Sequence, residues 1–289
     1  MGLGAIKSAW QRQTLHFGHV HGDEYSSLVF DNRGIGASDK PLLRYSTSEM
    51  ARDVVDLVDQ LGWTEERQLH IMGVSMGGMI AQEVAYLIPE RICSLNLLST
   101  AAAIENTVGF FENLWQRFNM FIPKTLDRSV ADGAASMFPD AWLLKPDETI
   151  VPTPDVKGYL PPNPPAKEYG KFATNYERFA AQELNKRLDP VAFEKKGFML
   201  QAIAAGWHHK SAKQLNEIGN RVGRSRICVF HGTSDRMITV PHGHKLIAAL
   251  QPGRVELVEG SGHVFMLEKA EWHNGVIEEM VKKTEAMKA

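Results

Sequence analysis

The stretch that most constrains this chain is residues 67–81, where a short apolar run leads into a Gly-x-Ser-x-Gly-Gly turn and then into an amphipathic helix. The serine is Ser75, and the flanking glycines lack the Cβ atoms that would collide in a tight strand-to-helix turn. Such a turn aims the amide of Met76 and the positive end of the helix at the group that Ser75 would attack. The pattern predicts a nucleophile, although a glycine-rich helix start packed on a sheet can have the same sequence.

Two later loops supply an acid and a histidine. Residues 227–230 form an apolar, partly β-branched run that leads into a loop containing Asp235. Residues 254–258 alternate charged and apolar side chains, as a half-buried strand does, and the loop that follows contains His263. The order serine, acid, histidine, with each residue after a strand, is the order that a triad on this type of scaffold requires.

The turn at residues 30–39 has the sequence Phe-Asp-Asn-Arg-Gly-Ile-Gly-Ala-Ser-Asp. With the ordered triad, it makes the chain resemble the α/β-hydrolase family over nearly its whole length. The resemblance implies an α/β fold of the α/β-hydrolase type: a mostly parallel sheet flanked by helices, with an inserted helical cap. It also implies Ser75, Asp235 and His263 as catalytic residues, and no cofactor or metal.

The start of the chain resembles the oxyanion loop of that family, with Met1 where the family has histidine. This alignment implies the backbone amide of Leu3 as the second oxyanion donor beside Met76. In the family the loop follows a third strand, which lies between the fourth strand and the nucleophile strand. Here residues 25–31 are the predicted fourth strand, and no third strand precedes the loop.

Three explanations for this departure stay open. The sequence is a shortened form of a longer protein, the fourth strand pairs directly with the nucleophile strand, or the chain is a remnant with impaired chemistry. The first is favoured, and it predicts low activity that rises when upstream sequence is restored. Supply of the third strand by another chain is a further possibility, which gives a possible homodimer.

Three other residues have expected supporting roles, and a fourth is an alternative triad acid. Asp31 and Arg33 are expected to brace their turn near the mouth of the site, and Glu268 resembles an acidic residue that follows the family's histidine and supports local packing. Glu105, after the predicted strand at residues 94–99, is the alternative triad acid, but Asp235 has the better strand-to-loop context.

Composition excludes several classes of function. The chain has 289 residues, 44% of them hydrophobic, and a formal net charge of −2, which leaves no basic surplus for nucleic acid or an anionic membrane surface. Cys93 and Cys228 both lie in apolar segments, which favours buried thiols and a cytoplasmic setting. No apolar run approaches the roughly 20 residues that span a bilayer. The expected partner is a small-molecule substrate.

The alternation of strands and helices stops in the middle of the chain. We therefore predict a first part of the core at residues 1–104, a helical cap at 105–218 and a second part of the core at 219–289. Residues 152–165 are proline-rich and predict a surface excursion. Part of the aromatic and methionine side chains of the cap is expected to line the pocket: Phe110, Phe111, Trp115, Phe118, Met120, Phe121, Met137, Phe138, Trp142, Phe198, Met199 and Trp207.

Residues 16–24 contain three histidines and two carboxylates. Their spacing matches no helical histidine pair and no Cys/His finger, so a polar loop is favoured over a metal site. His208 and His209 are expected to close a helix, with a second proton carrier as the alternative.

The expected function is hydrolysis of a small carboxylic ester, lactone or thioester through an acyl-enzyme on Ser75. A carbon–carbon bond hydrolase of the same fold is the alternative. A ligand-binding protein with impaired turnover is a third possibility, because the family's third strand is missing.

Overall fold

The computed structural model describes residues 1–105, 124–150 and 172–288. In these residues the strands form a parallel sheet in the order β1-β2-β3-β4. The strands are β1 (Leu69–Val74), β2 (Ile92–Leu98), β3 (Ile227–Gly232) and β4 (Arg254–Val258). All four agree closely with the predicted strands.

Helices connect the strands and cover both faces of the sheet. The N-terminal residues form three short helical segments, which are a 3₁₀ turn at Lys7–Trp10, an α turn at Gln11–Gln13 and a π-helix at Thr14–Val20. The α-helices that follow are α1 (Thr47–Gln60), α2 (Met76–Leu87), α3 (Leu126–Met137), α4 (Asp140–Leu143), α5 (Asn175–Leu188), α6 (Lys195–Gly206), α7 (Ala212–Val222), α8 (Val240–Leu250), α9 (Phe265–Glu268) and α10 (Ala270–Glu285). Among the described helices, none is both long and apolar enough to cross a membrane.

Local sequence explains where the main helices begin. Ser46 accepts a hydrogen bond from the amide of Glu49, and the Glu49 carboxylate accepts one from the amide of Ser46, so α1 starts with a capping box. Ser211 and Gln214 form the same arrangement at the start of α7. These reciprocal bonds satisfy amides that have no partner within the helix.

The buried core lies on both faces of β2, whose seven residues are all buried. One apolar cluster joins β2 and β3 to α1, α2, α7 and α8, and a second joins the opposite face to α10. Helix α7 contributes Leu215 and Ile218 to the first cluster. It therefore packs on the sheet, although the predicted boundary at residue 218 passes through it.

Residues 25–31 were predicted to form a strand, and this prediction is wrong for the described structure. The segment is irregular, and a cavity of about 530 Å³ is lined by Tyr25–Phe30 on one side and by Leu69–Met72 of β1 on the other. The segment therefore does not pair directly with β1. The cavity lies on the side of β1 where the family resemblance places a third strand.

Helices α3 to α6 lie within the predicted cap, as does the isolated bridge between Pro146 and Thr174, whereas the bridge between Ala103 and His209 joins the predicted core to the predicted cap. The predicted pocket side chains at residues 110–121 and the proline-rich segment at 152–165 lie outside the described residues.

We predict fast amide hydrogen exchange at residues 26–30. Their amides make no hydrogen bond to any described residue, whereas the amides of β2 lie in a fully buried strand. Exchange measured by mass spectrometry at peptide resolution should label residues 26–30 orders of magnitude sooner than β2. Equal protection of the two segments would contradict the structure of this edge.

Candidate active site

Ser75 occupies the sharp turn between β1 and α2. Its backbone has φ +57° and ψ −124°, a conformation that residues with a side chain rarely adopt. Its amide donates to the Leu98 carbonyl at 2.9 Å, and its carbonyl accepts from the Thr100 hydroxyl at 2.7 Å. Neighbours on the β2 side therefore hold the turn in place.

The glycines of the motif allow the strand and the helix to approach closely. A Cβ atom on Gly73 would lie 2.3 Å from the carbonyl oxygen of Gly77, and one on Gly78 would lie 2.6 Å from Cβ of Thr100. Both distances are too short for non-bonded atoms. Glycine is therefore required at these positions for this turn.

The two predicted oxyanion donors belong to segments that lie against the Ser75 turn. Met76 is the first residue of α2, so its amide lacks a partner within the helix. Residues 1–3 lie against the same turn, since a Cβ atom on Gly2 would be 3.3 Å from Cβ of Ser75. Neither the Met76 amide nor the Leu3 amide donates to another described backbone group, so both remain available.

Asp235 and His263 form a direct hydrogen-bonded pair. His263 Nδ1 lies 2.7 Å from Asp235 Oδ2, and both side chains are almost fully buried. The loop after β3 carries the acid and the loop after β4 carries the histidine. This contact agrees with the two roles that the sequence predicted.

The surroundings of Asp235 favour its ionised form. The amides of Met237 and Ile238 donate to Oδ1 at 2.8 and 3.0 Å, and His231 Nε2 lies 3.5 Å from Oδ2. Burial raises the pKa of Asp235, but the interactions with His263 and His231 outweigh it and lower the pKa to about 2. The carboxylate therefore stays charged at neutral pH and can orient the imidazole.

Ser75 and the Asp235–His263 pair lie at the same end of the sheet, after strands that run in parallel. Val74, next to Ser75, and Phe265, close to His263, belong to one buried apolar cluster. In the described residues, the Ser75 hydroxyl makes no hydrogen bond to His263. The structure thus brings the acid and the histidine together, and it places residues 1–3 and Met76 against the Ser75 turn.

Comparison with known proteins shows which family the chain belongs to. The α/β hydrolase fold family matches residues 2–270 of the chain. The chain belongs to this family. The predicted fold class and the family resemblance are therefore confirmed.

One curated relative of this α/β hydrolase is 3-oxoadipate enol-lactonase 2 of Acinetobacter baylyi, which is 36% identical over 102 residues. That match covers 35% of this chain and 36% of the relative, so the chain matches about a third of the relative's length.

Solved structures show the same fold at low identity. A hydrolase from Pseudomonas aeruginosa aligns with a TM-score of 0.67 and 21% identity, over 97% of this chain and 87% of its own. A meta-cleavage product hydrolase from Pseudomonas fluorescens aligns with a TM-score of 0.69 and 15% identity, over 98% and 88%.

The turn at residues 30–39 of this α/β hydrolase is braced by the residues predicted to do so. Asp31 accepts hydrogen bonds from the amides of Lys7 and Ala37, at 2.6 and 3.0 Å. Arg33 Nε donates to Asp53 at 2.6 Å. Asp31 therefore links this turn to the loop that carries Leu3.

Gln201 is a supporting residue that the sequence did not reveal. It is fully buried on α6, accepts a hydrogen bond from the Gly4 amide at 2.9 Å and donates one to the Arg33 carbonyl at 2.9 Å. One side chain thus connects α6 to the N-terminal loop and to the turn. A glutamine in an apolar helix gives no local signal of such a long-range contact.

Glu105, the alternative triad acid, and Glu268, the expected supporting residue, have other partners. Glu105 is exposed and pairs with Lys245, so the structure places Asp235 and not Glu105 beside His263. Glu268 accepts a hydrogen bond from the Gly262 amide at 2.8 Å, which agrees with the expected packing role. Burial raises its pKa to about 7.

His208 is not part of the Asp235–His263 pair. It follows α6, is buried, and its Nδ1 lies 2.9 Å from the Thr47 hydroxyl. Burial lowers its pKa to about 3, which leaves the ring neutral at physiological pH. This position favours the expected structural role over a proton carrier.

We predict that Gln201→Ala lowers the free energy of unfolding by about 2 to 4 kcal/mol, because two backbone groups lose their partner in a buried region. Met199→Ala, on the same helix but 48% exposed, is the control and should change stability by less than about 0.5 kcal/mol. Urea denaturation measures both. Equal losses in the two variants would contradict a bridging role for Gln201.

We predict that Glu268 makes stability depend on pH. Its pKa is about 7 in the folded protein against an ordinary value of 4.5, so its contribution is complete below pH 4.5 and is lost as pH rises to about 7. Glu268→Gln should flatten the unfolding free energy across this range, and the exposed control Glu66→Gln should not. Urea titrations at several pH values test this, and parallel curves for wild type and Glu268→Gln would contradict it.

Proposed function

We propose that this α/β hydrolase is a serine hydrolase of small carboxylic esters, lactones or thioesters, and that it works through an acyl-enzyme on Ser75. The observation that carries the proposal is the Asp235–His263 hydrogen bond at the same end of the sheet as the strained Ser75 turn. A nucleophile, an oriented base and free amide donors are the parts that acyl transfer requires.

The first half of the reaction forms the ester bond to the protein. His263 Nε2 takes the proton from the Ser75 hydroxyl as the oxygen adds to the substrate carbonyl carbon. The carbonyl oxygen becomes an oxyanion, which the amides of Met76 and Leu3 stabilise. When the tetrahedral species collapses, the bond to the leaving group breaks and the leaving group takes the proton from His263.

The second half repeats these steps with water. His263 accepts a proton from a water molecule that adds to the acyl carbon, and returns it to Ser75 as the acid product leaves. Asp235 holds the imidazole by Nδ1 in both halves and stabilises its charged form. In the absence of substrate the serine–histidine hydrogen bond is often long and tightens only in the complex, which fits the unbonded Ser75 hydroxyl.

The substrate class rests on two supports. The net charge of −2 gives no reason to expect a strongly anionic substrate. A relative with 36% identity is an enol-lactonase, which favours a cyclic or simple ester for this chain. We therefore place carboxylic esters and lactones ahead of thioesters.

We predict that a fluorophosphonate probe labels one residue, Ser75. Intact-mass spectrometry should show one adduct on the wild-type protein and none on Ser75→Ala. Asp235→Asn should slow labelling by roughly 1,000-fold or more, because the imidazole loses its oriented charge partner. Ser26→Ala removes an exposed serine far from the turn and is the control, which should label like the wild type.

Two results would redirect the proposal. A folded wild-type protein that takes no label, but binds a small apolar ligand saturably, would indicate a binding protein with impaired turnover. Normal labelling with a marked preference for ring-cleavage diketones over p-nitrophenyl esters and lactones would indicate carbon–carbon bond hydrolysis.

A further inference from the structure

The π-helix at Thr14–Val20 places two histidines on one face. The amide of His21 donates to the carbonyl of His16 at 3.0 Å, which is the five-residue bond of a π-helix. Residues five apart are therefore neighbours here, whereas an α-helix would direct them to different sides. The two imidazole rings lie 4.9 Å apart between centroids.

Helix α10 brings a carboxylate to this histidine pair. Glu278 Oε1 lies 2.6 Å from His16 Nε2 and 3.8 Å from His21 Nε2. One ligand atom from each of the three residues lies within 4.8 Å of the others.

The geometry points to a divalent transition-metal site formed by His16, His21 and Glu278, and its donor set fits Zn²⁺. Two imidazoles and a carboxylate are common zinc ligands, with bonds of about 2.1 Å, so ligand atoms around a tetrahedral ion lie about 3.4 Å apart. The observed separations of 2.6 and 3.8 Å lie on either side of that spacing, so these ligand atoms need to shift by less than about 1 Å to receive an ion.

The solvent exposure of these three side chains and the charges around them favour the binding of an ion. The side chains of His16, His21 and Glu278 are 27%, 34% and 22% exposed, so an ion and a water ligand can reach them. Glu24 Oε1 lies 3.7 Å from His21 Nδ1 and adds negative charge nearby. Lys282 Nζ, 3.7 Å from the Glu278 carboxylate, is the competing cation and is 69% exposed, so it can move away.

A simple ion pair between one histidine and the carboxylate would explain the position of only one of the two histidines. It accounts for His16, but it leaves His21 Nε2 facing the same carboxylate without a hydrogen bond. A bound ion would use all three side chains. It would also tie the N-terminal helical segment to α10, next to Tyr25 at the start of the irregular residues 25–31.

A second cluster of potential ligands in the described residues, His70, Cys93 and Glu285, is less suited. Burial raises the pKa of the Cys93 thiol, which disfavours the thiolate that binds metal, and His70 Nδ1 is already 2.8 Å from the Ser94 hydroxyl. It nevertheless has to be distinguished in the test, because it also contains histidine and glutamate.

The test is titration of the untagged, chelator-treated full chain with Zn²⁺ by calorimetry and with Co²⁺ by absorption spectroscopy. We expect one equivalent of either ion and a higher melting temperature with Zn²⁺. His21→Ala keeps the His16–Glu278 contact and should weaken binding about 100-fold or more, since loss of even an outer-shell partner costs roughly 10- to 100-fold. Glu278→Gln should have a similar effect.

His244→Ala, which removes an exposed histidine on α8, is the matched control and should bind as the wild type does. Absence of binding, or unchanged affinity in both His21→Ala and Glu278→Gln, would overturn the inference. A thiolate-to-cobalt charge-transfer band that disappears in Cys93→Ala would also overturn it, by assigning the ion to the other cluster. Fluorophosphonate labelling of Ser75 does not involve this site, so the two proposals can fail separately.

Discussion

The contact between the backbones of Gly73 and Gly77 is the constraint on which the candidate site depends. It fixes the angle at which α2 leaves β1, and the chain can make that angle only if Ser75 adopts φ +57°. Conformations of this kind cost about 1 to 3 kcal/mol and persist only when the surroundings impose them. Here the Leu98 carbonyl and the Thr100 hydroxyl hold the turn from the β2 side. The strain is therefore part of what exposes the hydroxyl and frees the Met76 amide.

The Asp235–His263 pair depends on a different constraint, the cost of a buried charge. A carboxylate without partners at this depth would become protonated and could no longer fix the imidazole. Two backbone amides and two histidines surround Asp235, and they keep its pKa at about 2. The amides come from the same loop as the acid, so the loop that presents Asp235 also stabilises its charge.

The sequence predicted those parts of the fold that depend on patterns of neighbouring residues. The strand that became β4 was predicted from its alternating residues, and β3 from its apolar, partly β-branched run. Asp235 and His263 were paired correctly because each follows a strand, and the carboxyl ends of parallel strands meet at one edge of the sheet.

Long-range contacts were not predictable in this way. Gln201 on α6 bonds two backbone groups, at Gly4 and Arg33, that lie far away in the sequence. His16 and His21 share a face only because that segment is a π-helix, and no periodicity in the sequence predicted a π-helix there. Residues 25–31 have the composition of a strand, yet strand formation needs a neighbour with free hydrogen-bonding groups within reach. The cavity beside β1 separates the segment from that neighbour.

In the described residues β1 pairs with β2 alone, and this explains why the Ser75 turn can form although the other side of the strand is unpaired. The middle of the strand, from His70 to Met72, is only half-buried, as expected for an edge, but its last residues Gly73 and Val74 are buried. The hydrogen bonds that fix Ser75 all come from the paired side or from α2 itself. The open side contributes residues 1–3, which Asp31 and Gln201 anchor through the amides of Lys7 and Gly4. Of the two proposed oxyanion donors, Met76 is therefore held by the sheet, and Leu3 is held by the contacts of its loop with the turn at residues 30–39 and with α6.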